Sequence, residues 1–186
     1  MLITLIRHSK TKFSKDIPNV LWQLTDEGIE LASKLCLQKE IKDIEVLYSS
    51  LQTKALQTAI ILAKDNQIPI KTNPDLTELT SITNGFIEDF EGEVKKLYSG
   101  EIENINNGET IQEAEIRFNK AIEDIVKIES HCQNIGIVAH GNVLSIFSSQ
   151  FTDKPPFDIH QKMGMPDLAI LVWETKKFIK FYGEIL

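Results

Sequence analysis

The sequence predicts an α/β fold, a three-layer sandwich with a mostly parallel central sheet, to which a C-terminal hairpin adds one antiparallel strand. Three observations predict it. Short apolar runs of strand length alternate with stretches whose apolar residues recur at helical spacing, the rhythm of a parallel sheet with helices on its faces. The chain has 186 residues, which suits one domain and is short for two. Hydrophobic residues make up 42% and charged residues 25%, the profile of a globular chain that buries its own core.

Each element has its own signal. Met1–Ile6 is an apolar run ending at Arg7-His8, the first strand. Thr25 reads as an N-cap, with Asp26 and Glu27 in the first turn and apolar or small residues at 28, 31, 32, 35 and 36 on one helix face. Ile44–Tyr48 is a second strand, and Ala55, Leu56, Ala59, Ile60, Leu62 and Ala63 mark a helix over about 51–65. Ile68–Lys71 is a short strand closed by Asn73-Pro74. Thr110 and Glu113 form a capping box, and Ala114, Phe118, Ala121, Ile122 and Ile125 continue its helix. Ile135–Ala139 is a strand running into His140-Gly141 and a further helix to about 150. Leu168–Trp173 and Phe178–Tyr182, around Thr175-Lys176-Lys177, make the hairpin. Residues 79–109 show weak periodicity inside one domain spanning 1–186, and a stretch of that length reads as a functional insertion or lid.

Charge narrows the function. The 20 cations and 27 acids leave a net −7 with no basic run, which argues against a nucleic-acid binder or an electrostatic membrane binder. Arg7 and Arg117 are the two arginines among those 20 cations. Cys36 and Cys132 stand far apart, without a disulfide framework or metal-ligand spacing. The N-terminal apolar run has neither a basic flank nor a cleavage site, and no run approaches the ~20 residues of a membrane span. A cytoplasmic location is the expectation.

In parallel sheets, ligands bind beyond the carboxyl ends of the strands, near helix N-termini. Arg7-His8, Ser49-Ser50 through Lys54, and His140-Gly141 all fall at such places. Neutral imidazole is a nucleophile near pH 7. A phosphoryl group in flight needs cations and backbone N–H groups around it, and Arg7, Lys54, a protonated His140 and the amides near Ser50–Thr53 and Gly141 could supply them. Lys54 lies in the first turn of its helix, where the macrodipole disfavours a cation unless an anion binds there. His131 reads as a solvated helix cap, His160 as structural, Arg117 as a surface or salt-bridging residue, and Trp22 as a packing residue, with a place at a pocket mouth as its alternative.

These segments together resemble the histidine phosphatase superfamily, also called phosphoglycerate-mutase-like. Leu5-Ile6-Arg7-His8-Ser9 resembles its Arg-His-Gly signature, and Leu24-Thr25 with Gly28 its Leu-Thr-x-x-Gly helix start. Tyr48-Ser49-Ser50 followed by Lys54-Ala55 and Gln57-Thr58-Ala59 resembles its Ser-Ser…Arg-Ala-x-x-Thr-Ala stretch. Leu76-Thr77-Glu78, Gly108-Glu109-Thr110 with Arg117, and Ile137 to Asn142 match further motifs in the expected order, so the resemblance covers residues 2–145. It implies a phosphatase in which His8 is the nucleophile and Arg7, Lys54, Ser14, Gly141 and His140 hold the phosphoryl oxygens. Glu78 would protonate the leaving alkoxide and then activate water, a role that asks for a carboxyl able to hold a proton. Asp75, Glu88 and Glu91 are its rivals. The implied chemistry uses no metal and no cofactor, and the implied partner is a small phosphorylated substrate.

The sequence departs from the family pattern at four places. Ser9 replaces a glycine, Phe13-Ser14 stands where relatives often carry Trp-Asn, and Lys54 replaces an arginine, losing the bidentate fork. Gly85 comes late for the family's Gly-x-Trp-Glu-Gly, to which Phe90-Glu91-Gly92 is the nearest match. A mutase that returns the phosphoryl group to a second hydroxyl, and a feeble relative that only binds a phosphorylated ligand or partner, are the alternatives. Residues 79–109 hold seven acids against Lys95 and Lys96, so a small or partly cationic phosphate ester is the expected substrate.

Overall fold

The computed structural model describes residues 1–79 and 87–184. Gly85 and part of the proposed lid lie outside them. Six strands form one sheet in the order β3-β2-β4-β1-β5-β6: β1 (Leu2–Arg7), β2 (Val46–Ser49), β3 (Ile70–Thr72), β4 (Asn134–Ala139), β5 (Asp167–Val172) and β6 (Lys177–Lys180). β1, β2, β3 and β4 pair in parallel, and β5 runs antiparallel to both β1 and β6. The C-terminal hairpin therefore adds two strands, of which β5 alone runs against the rest.

The central strands β1, β2, β4 and β5 are apolar on both sides because both sides are covered. Ile3, Leu5, Ile135, Ile137, Ala169 and Leu171 face one core, which includes Phe118 and Ile122 of α5 (Ile111–Ile128) and Leu144 and Phe147 of α6 (Gly141–Ser149). The intervening Ile6, Leu47, Val138, Leu168 and Ile170 face the other, with Leu35 of α1 (Asp26–Cys36), Ile41 of α2 (Lys39–Lys42) and Leu62 of α3 (Thr53–Lys64). This alternation makes the three layers. Thr25 caps α1 by accepting from the Gly28 amide, and Thr110 and Glu113 close the expected capping box on α5.

Part of the segment that lacks clear periodicity is helical. α4 (Phe90–Ser99) starts at Asp89, whose side chain accepts from the Gly92 amide, and ends at Gly100 in the left-handed conformation. Its Val94 and Leu97 bury themselves with Ile105 in a small satellite core. Two buried positions in ten residues leave too narrow a stripe for sequence periodicity to reveal. Tyr98 ties this unit to α6 through Ser145 Oγ at 3.0 Å, and its ring meets Phe157 of α7 (Pro156–Lys162).

Candidate active site

The carboxyl ends of β1, β2 and β4 open onto a pocket of about 580 Å³. Arg7 and His8 enter it from the end of β1, Lys54 from the first turn of α3, Glu78 from the loop after β3, and Gly141 and Asn142 from the N-terminus of α6. His140 stands behind the wall with its ring centroid 5.1 Å from that of His8. Residues separated by more than 130 positions in the chain thus converge where the strand pattern places them.

The local motifs explain why the loop after β1 holds its shape. The Ser9 amide donates to Thr58 Oγ1 at 3.0 Å, and Thr58 in turn donates to the Lys54 carbonyl. Ser9 Oγ donates to the Gly28 carbonyl at 2.6 Å, so the serine that replaces glycine is absorbed by one added hydrogen bond. Gly28 itself admits no side chain, because a Cβ there would lie 2.2 Å from the Lys10 carbonyl oxygen.

His8 is prepared as a nucleophile. Its Nδ1 lies 2.8 Å from the Ser9 carbonyl, which only accepts, so Nδ1 carries the proton and Nε2 carries the lone pair. Burial, reinforced by the Lys54 and Arg7 charges, pushes its pKa well below the ordinary value, so the ring is neutral at pH 7. The same holds for His140, through burial and then through His8, Lys54 and Arg7. The expectation of a protonated His140 therefore fails for the free site, because the ring is fully buried among cations. His140 Nε2 and Ser50 Oγ share a hydrogen bond of 2.7 Å, and the Gln52 amide also donates to that hydroxyl.

Lys54 is not the solvated lysine that its position alone allows. It is 7% exposed, its Nζ donates to the Asn19 carbonyl at 3.3 Å, and it lies 5.4 Å from the centroid of Trp22. Burial lowers its pKa to about 8, with Glu78 acting in the opposite direction.

Glu78 sits at the N-terminus of α6. One carboxylate oxygen accepts from the Asn142 amide at 3.1 Å and from its side chain at 3.3 Å, and the other accepts from the Val143 and Leu79 amides. Arg117 holds the loop from behind. It pairs with Glu109 at 2.7 Å and donates to the carbonyls of Asp75, Thr77 and Glu78. The salt bridge was legible in the sequence. The grip on the Glu78 loop was not, because it depends on carbonyls some 40 residues away.

Two expectations need correction. Ser14 does not line the pocket: its hydroxyl accepts from the Asp16 amide in a local turn, and Thr11 and Asn19 line the wall instead. His160, read as structural, does line it. Burial and the Arg7 charge lower its pKa to about 4, so it faces the site as neutral imidazole. No local pattern marks it, since it arrives on a short helix that starts at the second of two prolines. Trp22 also lines the pocket, with Phe13 packed edge-on against it at 5.1 Å. Glu88 and Glu91, rivals for the proton donor, lie at the wall with Asp89, whereas Asp75 does not line it.

A Cβ on Gly141 would lie 2.9 Å from His160 Nε2 and 3.0 Å from Arg7 Nη2. Gly141→Ala is expected to displace both side chains and lower kcat/KM roughly 10-fold to 100-fold, with the circular-dichroism spectrum unchanged. Steady-state kinetics would check this.

Among the described residues the fold brings together one further group. Glu129, His131 and Cys132 offer ligand atoms within 4.8 Å of one another, before β4 and so at the end of the sheet away from the pocket. Sequence spacing gave no sign of it. The Glu129 carboxylate already accepts from Tyr48 Oη at 2.6 Å and Lys71 Nζ at 2.5 Å, so a cation there would have to displace an ammonium.

Two buried histidines, one in the pocket and one behind its wall, stand with Arg7 and Lys54 at the carboxyl ends of the parallel strands, an arrangement suited to phosphoryl chemistry. The chain belongs to the histidine phosphatase superfamily (branch 1), whose profile matches residues 3–179. An adenosylcobalamin/alpha-ribazole phosphatase from Escherichia coli strain K12 is 27% identical over 171 residues, 83% of this chain and 81% of its own. Two solved structures share the fold with a TM-score of 0.76. A mycobacterial glucosyl-3-phosphoglycerate phosphatase is 17% identical, with 97% of each chain covered. A phosphoserine phosphatase from Entamoeba histolytica is 21% identical, covering 97% of this chain and 96% of its own. No helix among the described residues is long and apolar enough to cross a membrane.

Proposed function

We propose that the protein hydrolyses a small phosphomonoester through a phosphohistidine formed on His8, without a metal. The observation that carries this reading is the fixed tautomer of His8, with Nδ1–H given to the Ser9 carbonyl and Nε2 left for attack inside the cationic wall. Nε2 forms a bond to phosphorus as the ester oxygen departs, and Glu78 gives that oxygen its proton. Glu78 then takes a proton from water, which attacks the phosphohistidine and releases inorganic phosphate and His8. Arg7, Lys54, His140 and the α6 N-terminus would hold the phosphoryl oxygens throughout. An arriving dianion competes for the α6 amides that Glu78 occupies in the free site, which would turn the carboxyl toward the leaving oxygen. Of the segment 79–109, the described residues Ile87 to Glu91 line this pocket, which supports reading them as part of a lid.

The buried polar atoms support it. Among the described residues, three buried side-chain atoms lack a hydrogen-bond partner: Arg7 Nε, His140 Nδ1 and Gln52 Oε1. Buried groups are normally paired, and the first two belong to residues of the proposed phosphate site. Quenching the enzyme in alkaline detergent during turnover of labelled substrate in EDTA tests the reading. Acid-labile, base-stable label on His8 is expected, and turnover with a strict metal requirement or with label elsewhere would overturn it.

The lysine at position 54 carries a pH signature. In the free enzyme its ammonium loses its charge as pH rises through about 8, so kcat/KM should fall above that pH. Arginine stays charged there, so Lys54→Arg should move the alkaline limb above pH 10. The acid limb belongs to the substrate's second ionisation, near 6, because His8 is already neutral there. A pH profile of both proteins measures the shift.

A further inference from the structure

Beyond the phosphate end, the pocket carries features that bear on the alcohol half of the substrate. Gln52 is one of the lining residues and is 8% exposed. Its Nε2 donates to Thr77 Oγ1 at 2.7 Å, while Oε1 is buried with no partner. Although Gln52 is the N-cap residue of α3, its side chain makes no capping bond, so helix formation does not account for it. Thr77, its partner, immediately precedes Glu78, and both Thr77 and Glu78 line the pocket, so the Gln52 amide is tied to the loop that carries the group proposed to protonate the leaving oxygen.

The surroundings define what the oxygen can receive. Phe13, Val20, Trp22, Phe90 and Met165 give the pocket an apolar wall. Glu88, Asp89 and Glu91 add negative charge to it, and no cation of the segment 87–109 lines it in return. An anionic alcohol would meet repulsion from the acids and a carbonyl oxygen that cannot donate. A neutral or cationic alcohol carrying an O–H or N–H would satisfy Gln52.

We propose that Gln52 is a specificity-determining residue whose Oε1 accepts a hydrogen bond from a hydroxyl or amine close to the ester oxygen. The preferred substrates are then uncharged or cationic hydroxyalkyl or aminoalkyl phosphates, and carboxylated or bisphosphorylated esters are rejected. This rests on the phosphatase reading above. An acceptor with no donor penalises a substrate that lacks one, because a buried polar group is left unpaired.

A matched series tests it: ethyl, 2-hydroxyethyl and 2-aminoethyl phosphate, with phosphoglycolate as the anionic member. The expected kcat/KM is about tenfold higher for the hydroxyethyl and aminoethyl esters than for ethyl phosphate, and lowest for phosphoglycolate. Gln52→Met keeps the side chain's length and removes its polarity, so the hydroxyethyl-to-ethyl ratio should collapse from about ten to about one. Gln52→Glu retains an acceptor and should keep the aminoethyl preference. A ratio that survives in Gln52→Met while all four esters lose activity together would overturn the proposal and place Gln52 on the phosphate instead. Preference for phosphoglycolate would also overturn it. Failure of the phosphatase reading looks different: none of the four esters, nor p-nitrophenyl phosphate, is turned over by the unmodified protein.

Discussion

His8→Ala is expected to abolish turnover of p-nitrophenyl phosphate, by about ten-thousand-fold or more, and to eliminate the acid-labile phosphoenzyme. The size follows from the role. In the proposed mechanism Arg7, Lys54 and His140 stabilise charge and Glu78 moves a proton, and each of those losses leaves a slower version of the same reaction. Removing Nε2 removes the atom proposed to bond to phosphorus, and His140 cannot substitute because its Nε2 is engaged with Ser50 Oγ. The variant should still fold. His8 makes side-chain contact with the Ser9 carbonyl and Thr11, while the Ser9 amide and hydroxyl that fix the loop are untouched. Phosphate or vanadate should still bind to it, since Arg7, Lys54 and the α6 amides remain. A variant that keeps its activity would remove the covalent mechanism altogether.

Glu78→Gln is expected to show the second-largest effect, and one that depends on the leaving group. Loss of a general acid lowers rates roughly 100-fold to 10,000-fold when the leaving oxygen needs a proton. An alkyl phosphate should suffer that full loss. p-Nitrophenolate leaves without protonation, so phosphorylation of His8 by p-nitrophenyl phosphate should be nearly spared. Hydrolysis of the phosphohistidine still needs Glu78 as base, so that substrate should show a burst of nitrophenol stoichiometric with enzyme, followed by slow turnover. Stopped-flow absorbance would read the burst directly. Equal losses in the first step for both esters would transfer the acid role to Glu88 or Glu91, the acids that also line the pocket. Arg117→Lys should move the same ratio in the same direction and by less, because Arg117 acts on Glu78 through the loop carbonyls it grips.

Much of this was legible before any coordinates. Thr25, Thr110 and Glu113 announced their helix starts because capping is a contact within three residues, and it needs nothing from the rest of the chain. His8 and His140 were legible for a different reason. A buried parallel strand reads as a continuous apolar run, and the polar residue that ends it must lie at the sheet's carboxyl edge. β1 and β4 are hydrogen-bonded neighbours in parallel register, so two such ends were bound to meet. α4 was illegible because its apolar face serves a satellite core of three buried residues rather than the sheet. Ser14 was misplaced for the opposite reason. A family motif assigned it a ligand, and a local turn consumed its hydroxyl.

Order, class and the histidine pair, then, were written in local pattern: which segments are strands, where they end, and that two histidines and an arginine stand at those ends. Those properties follow from side-chain periodicity and from the few residues flanking each element. The substrate side of the pocket was settled by tertiary structure alone. Gln52, Trp22, Glu88 and His160 come from four separate connections, and nothing in the spacing of one connection states which others it will face. Protonation was decided there too. A histidine or lysine carries no mark of its burial in the sequence, yet burial among neighbouring cations is what keeps His8 neutral and brings Lys54 to about 8.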